Sequence, residues 1–357
     1  WLNLNRERVL EVLNSLMEEK DIGSLKRKIG EIRKVILNPK ADNLGLLNIN
    51  SDGDVVSFRS DILISEIDQI SNSRTLERAR YYLRRLKNSI EKVKTNKIND
   101  INLSRWKEYD EIITDSLWIF DKRDTSGAHL GWYWGNFIPQ IPRQLMLRYT
   151  KKGDWVLDPF VGSGTTLIEC RKLGRNGIGI DINEEVVKKA REQIQKEENK
   201  FKVITEVICA DSRVLNFKEV LGKFGIKNVQ LVILHPPYWD IIKFSDKKED
   251  LSNAKSLESF LSAFEEVLVR TIEVLEKGRF LAIVIGDKYS KGEWIPLGFY
   301  VMESSMKKGL KLKSIVVKNF EETRAKRNQK ELWRYRALVG GFYVFKHEYI
   351  LIFQKAK

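Results

Sequence analysis

From residue 150 onward, short aliphatic and β-branched runs alternate with stretches whose apolar residues recur at helical spacing, and that alternation admits few folds. Strands are expected at 155–157, 176–181, 203–209, 230–234, 280–285, 312–318 and 349–353. Helices are expected between them at 165–173, 184–197, 212–224, 257–276 and 297–308. Strands separated by helices must lie parallel, because a helical crossover returns the chain to the same sheet edge. The expected class is therefore α/β, a seven-stranded Rossmann-like sheet with helices on both faces. No helix is expected between the last two strands, so that end of the sheet should turn antiparallel.

Upstream, residues 5–37 read as two helical runs, the first through Val9, Leu10, Leu13 and Leu16, the second through Ile29, Ile32, Val35 and Ile36. Residues 46–50 and 55–58 flank the turn residues Ser51, Asp52 and Gly53, a pattern that predicts a hairpin. Two helices and a hairpin suit either a wing-like nucleic-acid module or a packing attachment. A helix over 74–97 carries Arg74, Arg78, Arg80, Arg84, Arg85, Lys87, Lys92 and Lys94 against Glu77 and Glu91. It suits phosphate contact or a solvated face. The expected organisation is a mainly helical domain at 1–100, a connecting segment at 101–130 and a main domain at 131–357.

Only two cysteines and three widely spaced histidines occur, which leaves no basis for a disulfide framework or a metal site. No apolar run reaches the roughly 20 residues needed to span a bilayer, and no secretory leader is recognisable, so a cytoplasmic protein is expected. The net charge of +14 favours a polyanionic partner, although 49 acidic residues also permit plain solvated faces.

The chemistry is concentrated in two short runs, each at the end of an expected strand. In the first, Asp158-Pro-Phe-Val-Gly-Ser-Gly-Thr-Thr166, Gly162 and Gly164 allow a sharp turn close to a ligand, and Thr165 and Thr166 open a helix. No Lys follows Gly164, as a phosphate-binding nucleotide loop requires, and Leu167 stands where a dinucleotide fold needs its third Gly. S-adenosylmethionine, which has no pyrophosphate, is the remaining candidate. Asp181 suits ribose hydroxyls, Asp211 an adenine amine and Asp158 an ammonium. Each also reads as an ordinary helix cap. Phe160, Ile182 and Ser212 adjoin them and complete the expected cofactor set.

The second run is His235-Pro236-Pro237-Tyr238. Together the two runs resemble the amino-methyltransferases that modify exocyclic amines of DNA bases to N4-methylcytosine or N6-methyladenine. The likeness covers about residues 130–357 and not the N-terminal third. It implies a cofactor loop at Asp158 to Thr166 and a catalytic turn at His235 to Tyr238, where the family's turn usually starts with Asp, Asn, Ser or Thr. It also implies that residues 134–139, with Phe137, close over the methionine part of the cofactor.

On that resemblance, the Pro236 carbonyl and His235 would accept hydrogen bonds from the target amine, and Tyr238 would stack on the base. A neutral imidazole can accept, so activity should fall below about pH 6.5. The target base would be flipped out of double-stranded DNA. Expected DNA contacts are Arg80, Arg84, Arg85, Trp239, Lys243, Arg324, Arg327, Lys330, Trp333, Arg334 and Arg336. Several of these lie in a basic and aromatic insertion at 321–347, and residues 243–250 read as a mobile lid or a plain surface loop. The missing initial Asp leans to cytosine N4, and a cognate restriction endonuclease or defence-system protein would be a partner. Two other readings stand: an RNA amino-methyltransferase, for instance at guanine N2, and an inactive nucleic-acid-binding subunit.

Overall fold

The computed structural model describes residues 1–49, 54–320 and 330–356. The chain divides into two compact units, residues 1–97 with 101–111, and residues 98–100 with 112–357.

The first unit runs β1 (Leu2–Asn5), α1 (Arg6–Met17), α2 (Ile22–Leu37), β2 (Val55–Phe58), α3 (Ser60–Ser71) and α4 (Leu76–Glu91). Asn5, Asp21 and Thr75 cap α1, α2 and α4 by accepting the N–H of Arg8, Ser24 and Arg78. Leu16, Leu25, Ile29, Ile67, Ile70 and Leu83 form a fully buried core. The expected hairpin does not form. Val55–Phe58 pairs antiparallel with Leu2–Asn5, while residues 46–49 form no strand and 50–53 lie outside the described residues. Leu4, Val56 and Phe58 bury alternate side chains in that ribbon, and Leu46 reaches the same core from an irregular segment whose carbonyl accepts the Asn5 N–H at 2.7 Å.

The second unit holds β3 (Leu117–Trp118), α5 (Gln140–Tyr149), β4 (Trp155–Asp158), α6 (Thr165–Leu173), β5 (Asn176–Asp181), α7 (Glu184–Gln195) and β6 (Thr205–Cys209). There follow α8 (Phe217–Gly222), β7 (Val229–Leu234), α9 (Leu257–Val274), β8 (Leu275–Ile285), β9 (Lys288–Ser290), β10 (Glu293–Ile295), α10 (Leu297–Lys307), β11 (Leu310–Asn319), α11 (Lys330–Gly340) and β12 (His347–Lys355). Among the described residues, eight strands form the main sheet in the order β3-β11-β12-β8-β7-β4-β5-β6. Strands β6, β5, β4, β7 and β8 are parallel, and β12 runs antiparallel to β8 and β11. This is a Rossmann-like α/β sheet. The eighth strand is the two-residue β3 at the edge, too short to leave a periodic signal.

Side-chain alternation explains the two layers. Val232 and Leu234 of β7 pack with Phe260 and Phe264 of α9, while Leu231 and Ile233 pack with Ile141 and Leu145 of α5. Both faces are covered, so the central strands read as continuous apolar runs.

Two expectations change. The link between β11 and β12 contains α11, whose apolar Leu332, Tyr335, Leu338 and Val339 are exposed and so lack the one-sided pattern that marks a packed helix. The helix expected at 212–224 contracts to Phe217–Gly222, since Asn216 caps it and the Asp211 carbonyl takes the N–H groups of Val214 and Leu215. No helix of the described residues is long and apolar enough to cross a membrane.

The chain proceeds outward from β4 to β5 and β6, then returns to place β7 on the other side of β4. The carboxyl ends of β4 and β7 are therefore neighbours at a reversal of strand order, where open α/β sheets bind ligands.

Candidate active site

The loop after β4 is held by two carboxylates at different depths. Gly162 and Gly164 take left-handed φ of +49° and +84°, and a Cβ on Gly162 would lie 2.9 Å from the Tyr133 ring. The Gly162 N–H donates to Asp181 Oδ2 at 3.1 Å, and Asp181 Oδ1 accepts the Asn183 N–H at 2.9 Å. Burial pushes the Asp181 carboxyl up to about 6.

Asp158 lies beneath the loop, 1% exposed, accepting the Phe160 N–H at 3.0 Å and the Thr166 hydroxyl at 2.5 Å. Burial pushes its carboxyl up to about 7. It does not line the cavity, which corrects its expected pairing with a ligand ammonium: its oxygens organise the loop from below. Gly164, Thr165 and Thr166 also lie outside the cavity wall, and the Thr165 hydroxyl donates to Asn136 Oδ1 at 2.8 Å.

The cavity, about 950 Å³, is lined by Phe137, Phe160, Gly162, Asp181, Ile182, Asp211 and Ser212 together with His235, Pro236, Pro237 and Tyr238. Thus the two loops face one space. Asp211 holds the Arg213 guanidinium through both carboxylate oxygens, and the Ser212 hydroxyl donates to the Pro159 carbonyl at 2.8 Å.

At the acceptor turn, the His235 ring lies edge-on to Phe137 with centroids 4.7 Å apart. Burial pushes the imidazole down to about 4, although Glu348 opposes the shift. His235 is consequently neutral throughout the physiological range, and the expected loss of activity below pH 6.5 has no origin in this residue. The Tyr238 hydroxyl donates to Glu348 Oε2 at 2.7 Å, and its ring covers Gly286.

Trp239 does not extend the platform. Its φ of +55° is left-handed, and its indole N–H donates to the Ala254 carbonyl at 2.9 Å, away from the cavity.

A third wall comes from residues 123–138. The Arg123 Nη1 donates to the Phe137 carbonyl at 2.9 Å, but Arg123 Nε, Arg123 Nη2 and Asn136 Nδ2 are buried without a partner among the described residues. Both side chains line the cavity. Phe244 stacks on Tyr133 with centroids 5.6 Å apart, and the segment around it is latched rather than loose. Asp250 accepts the Ser245 hydroxyl at 2.7 Å and the Ser252 N–H at 2.8 Å, and Lys247 donates to the Ile182 carbonyl at 2.7 Å.

The expected DNA contacts fare unevenly. Trp333 lines the cavity beside Phe342 and Phe345, and Arg334 and Arg336 are exposed on α11. Lys243 is exposed and pairs with Asp246. In the first unit Arg84 is exposed, whereas Arg85 is engaged by Glu66 and Gln69, and Arg80 donates to the Glu19 carbonyl at 2.7 Å. Arg324 and Arg327 lie outside the described residues, as does the Lys330 side chain.

Sequence reasoning placed Asn136 within the 134–139 segment but missed Arg123, Tyr133, Lys318 and Glu348. The last two stand at the edges of strand-like runs, Lys318 closing one and Glu348 just preceding another.

Fold and site together define a Rossmann-like α/β domain with a cavity at the carboxyl ends of β4 and β7. The chain belongs to the DNA methylase family, whose model matches residues 44–192 and 229–357, beginning well before the residue near 130 where the resemblance was first legible. A model for the RMKL-like methyltransferase domain matches residues 144–277. The Type II methyltransferase M.MjaII of Methanocaldococcus jannaschii is 30% identical over 162 residues, 42% of this chain and 30% of that protein. M.HpaI of Haemophilus parainfluenzae, also a Type II methyltransferase, is 49% identical over 63 residues, 18% of this chain and 20% of its own length. A tRNA (guanine(10)-N2)-dimethyltransferase of M. jannaschii is 33% identical over 105 residues, 29% of each protein. The chain thus spans less than a third of the length of each of these relatives. Among solved structures, TrmN of Thermus thermophilus aligns with 61% of this chain and 49% of its own at TM-score 0.39 and 18% identity.

Proposed function

We propose that the chain methylates an exocyclic amine of a flipped base in double-stranded DNA, with S-adenosylmethionine as donor and cytosine N4 favoured over adenine N6. The observation that carries the proposal is the convergence of the β4 loop and the His235 to Tyr238 turn on one cavity.

The residues fit the cofactor. Arg123 and Asn136 hold unpaired buried donors at the cavity wall, which suit a carboxylate. Asp181 would accept from the ribose hydroxyls, Asp211 and Ser212 would meet the adenine, and Phe137, Phe160 and Ile182 would supply the apolar wall. S-adenosylmethionine, when bound, supplies an electrophilic methyl group on a sulfonium.

The remaining work falls to the chain. An exocyclic amine delocalises its lone pair into the ring. Hydrogen bonds accepted from its N–H groups by the Pro236 carbonyl and neutral His235 favour a pyramidal nitrogen and free that pair. Prolines hold the turn and add no competing N–H, and the Tyr238 ring offers a stacking face. Among cations, exposed Arg84, Lys243, Arg334 and Arg336 suit phosphate contact, as do Arg324, Arg327 and Lys330 by sequence. Arg80 and Arg85 are committed within their own unit. A cognate endonuclease or other defence protein is the partner this reading expects.

Incubation with methyl-labelled cofactor and duplex DNA, single-stranded DNA or tRNA, followed by nucleoside mass spectrometry, tests the proposal. N4-methylcytosine in DNA is the expected product. Label confined to tRNA would favour the RNA reading, and cofactor binding without transfer to any of them would favour an inactive subunit.

A further inference from the structure

The acceptor turn is braced by a buried ion pair between two neighbouring strands. Lys318 on β11 and Glu348 on β12 are direct cross-strand partners, both largely buried, with Nζ 3.0 Å from Oε1. Both line the cavity. Replacing a buried pair by apolar residues is commonly neutral or stabilising, so fold stability gives little reason for these two charges. Their contacts point to another role.

Glu348 Oε2 accepts the Tyr238 O–H at 2.7 Å, and the Tyr238 oxygen lies 3.4 Å from His235 Nε2. The direction of this chain is fixed by donor inventory. An ionised carboxylate only accepts, so the phenol hydrogen is committed to Glu348. The phenolic oxygen then offers His235 lone pairs alone, which favours the imidazole hydrogen on Nε2. Nδ1 keeps the free lone pair and has no partner among the described residues.

We propose that Glu348, paired with Lys318, is a positioning residue that sets the His235 tautomer through Tyr238, so that Nδ1 presents a lone pair to the target amine. The inference rests on the functional reading above and deepens it. It gives His235 a defined accepting atom and explains how a turn that begins with His does the work of one that begins with an oxygen acceptor. Burial pushes the Glu348 carboxyl up, but the Lys318 ammonium and the Tyr238 hydroxyl together hold it below its ordinary value. The groups facing Glu348 from packed elements are Lys318 on β11 and the His235 and Tyr238 side chains after β7.

The tautomer can be read without any turnover. Long-range 1H–15N spectra of the full chain resolve three histidines, and His235→Gln assigns the relevant signal. The expected wild-type pattern is hydrogen on Nε2. Glu348→Gln introduces an amide donor to the Tyr238 oxygen, which turns the phenol hydrogen toward His235 and moves the imidazole hydrogen to Nδ1. That variant should lose about 10²-fold or more in kcat while its affinity for S-adenosylmethionine stays unchanged by calorimetry.

Lys318→Met removes the ammonium that keeps Glu348 ionised, so its acid limb should move upward toward neutral pH. A wild-type spectrum with hydrogen on Nδ1, or a Glu348→Gln chain with unchanged tautomer and turnover, overturns the inference. A wild-type chain that methylates no nucleic acid instead overturns the functional reading, and the spectra still decide the tautomer.

Discussion

The Tyr238 ring lies so close over Gly286 that a Cβ on the glycine would come within 2.8 Å of ring atom Cε2. The end of β8 thus forms the floor on which the acceptor turn rests. Gly286→Ala should displace the ring at a cost of about 1–3 kcal/mol in overpacking and lower kcat for methyl transfer. Cofactor affinity, measured by calorimetry, should be unchanged, because the β4 loop is not touched.

Arg123 presents the opposite balance between stability and binding. Burial lowers its pKa, and its Nε and Nη2 have no partner among the described residues. Arg123→Met should leave the melting temperature of the ligand-free chain unchanged or raised, since a buried cation with two unpaired donors is removed. The same change should weaken S-adenosylmethionine binding by about 10- to 100-fold, the equivalent of one charge-assisted hydrogen bond. Calorimetry and thermal melts on one preparation check both signs.

The pH response should come from Asp181 rather than His235. With its carboxyl at about 6, Asp181 takes up a proton as pH falls through that value and can no longer accept from both ribose hydroxyls. Cofactor affinity should fall with it, and Asp181→Asn should bind more weakly with a flatter profile. The contribution to folding has the reverse sign. A carboxyl whose folded pKa is raised adds stability at low pH, and that stability is lost as pH rises through about 6. Melts of the ligand-free wild type against Asp181→Asn across that range read the difference.

Two neighbouring arginines on α4 should separate structure from binding. Arg85 is tied to largely buried Glu66, so Arg85→Ala should destabilise by about 1–3 kcal/mol, seen in urea denaturation. Exposed Arg84 has no such tie among the described residues. Arg84→Ala should leave the urea midpoint in place and, if this helix meets phosphate, lower the slope of log affinity against log salt by about 1 in DNA-binding titrations.

Local pattern alone determined the alternating α/β order, the glycine turn after β4 and the Pro-Pro turn after β7, whereas the antiparallel end was expected from a missing helix and formed although α11 stands in that link. Apolar periodicity and turn chemistry act over a few residues, and those features need nothing more. Other features rest on pairings between distant positions. Strand β2 chose Leu2–Asn5 over the nearby run at 46–50 because both strands bury alternate residues in one core. Asp158 was drawn under its loop, and Trp239 turned away from the cavity. Most consequentially, the register of β11 against β12 set Lys318 beside Glu348, next to a histidine more than 80 residues earlier in the chain. Only the assembled sheet buries that cluster, and burial is what keeps the imidazole neutral.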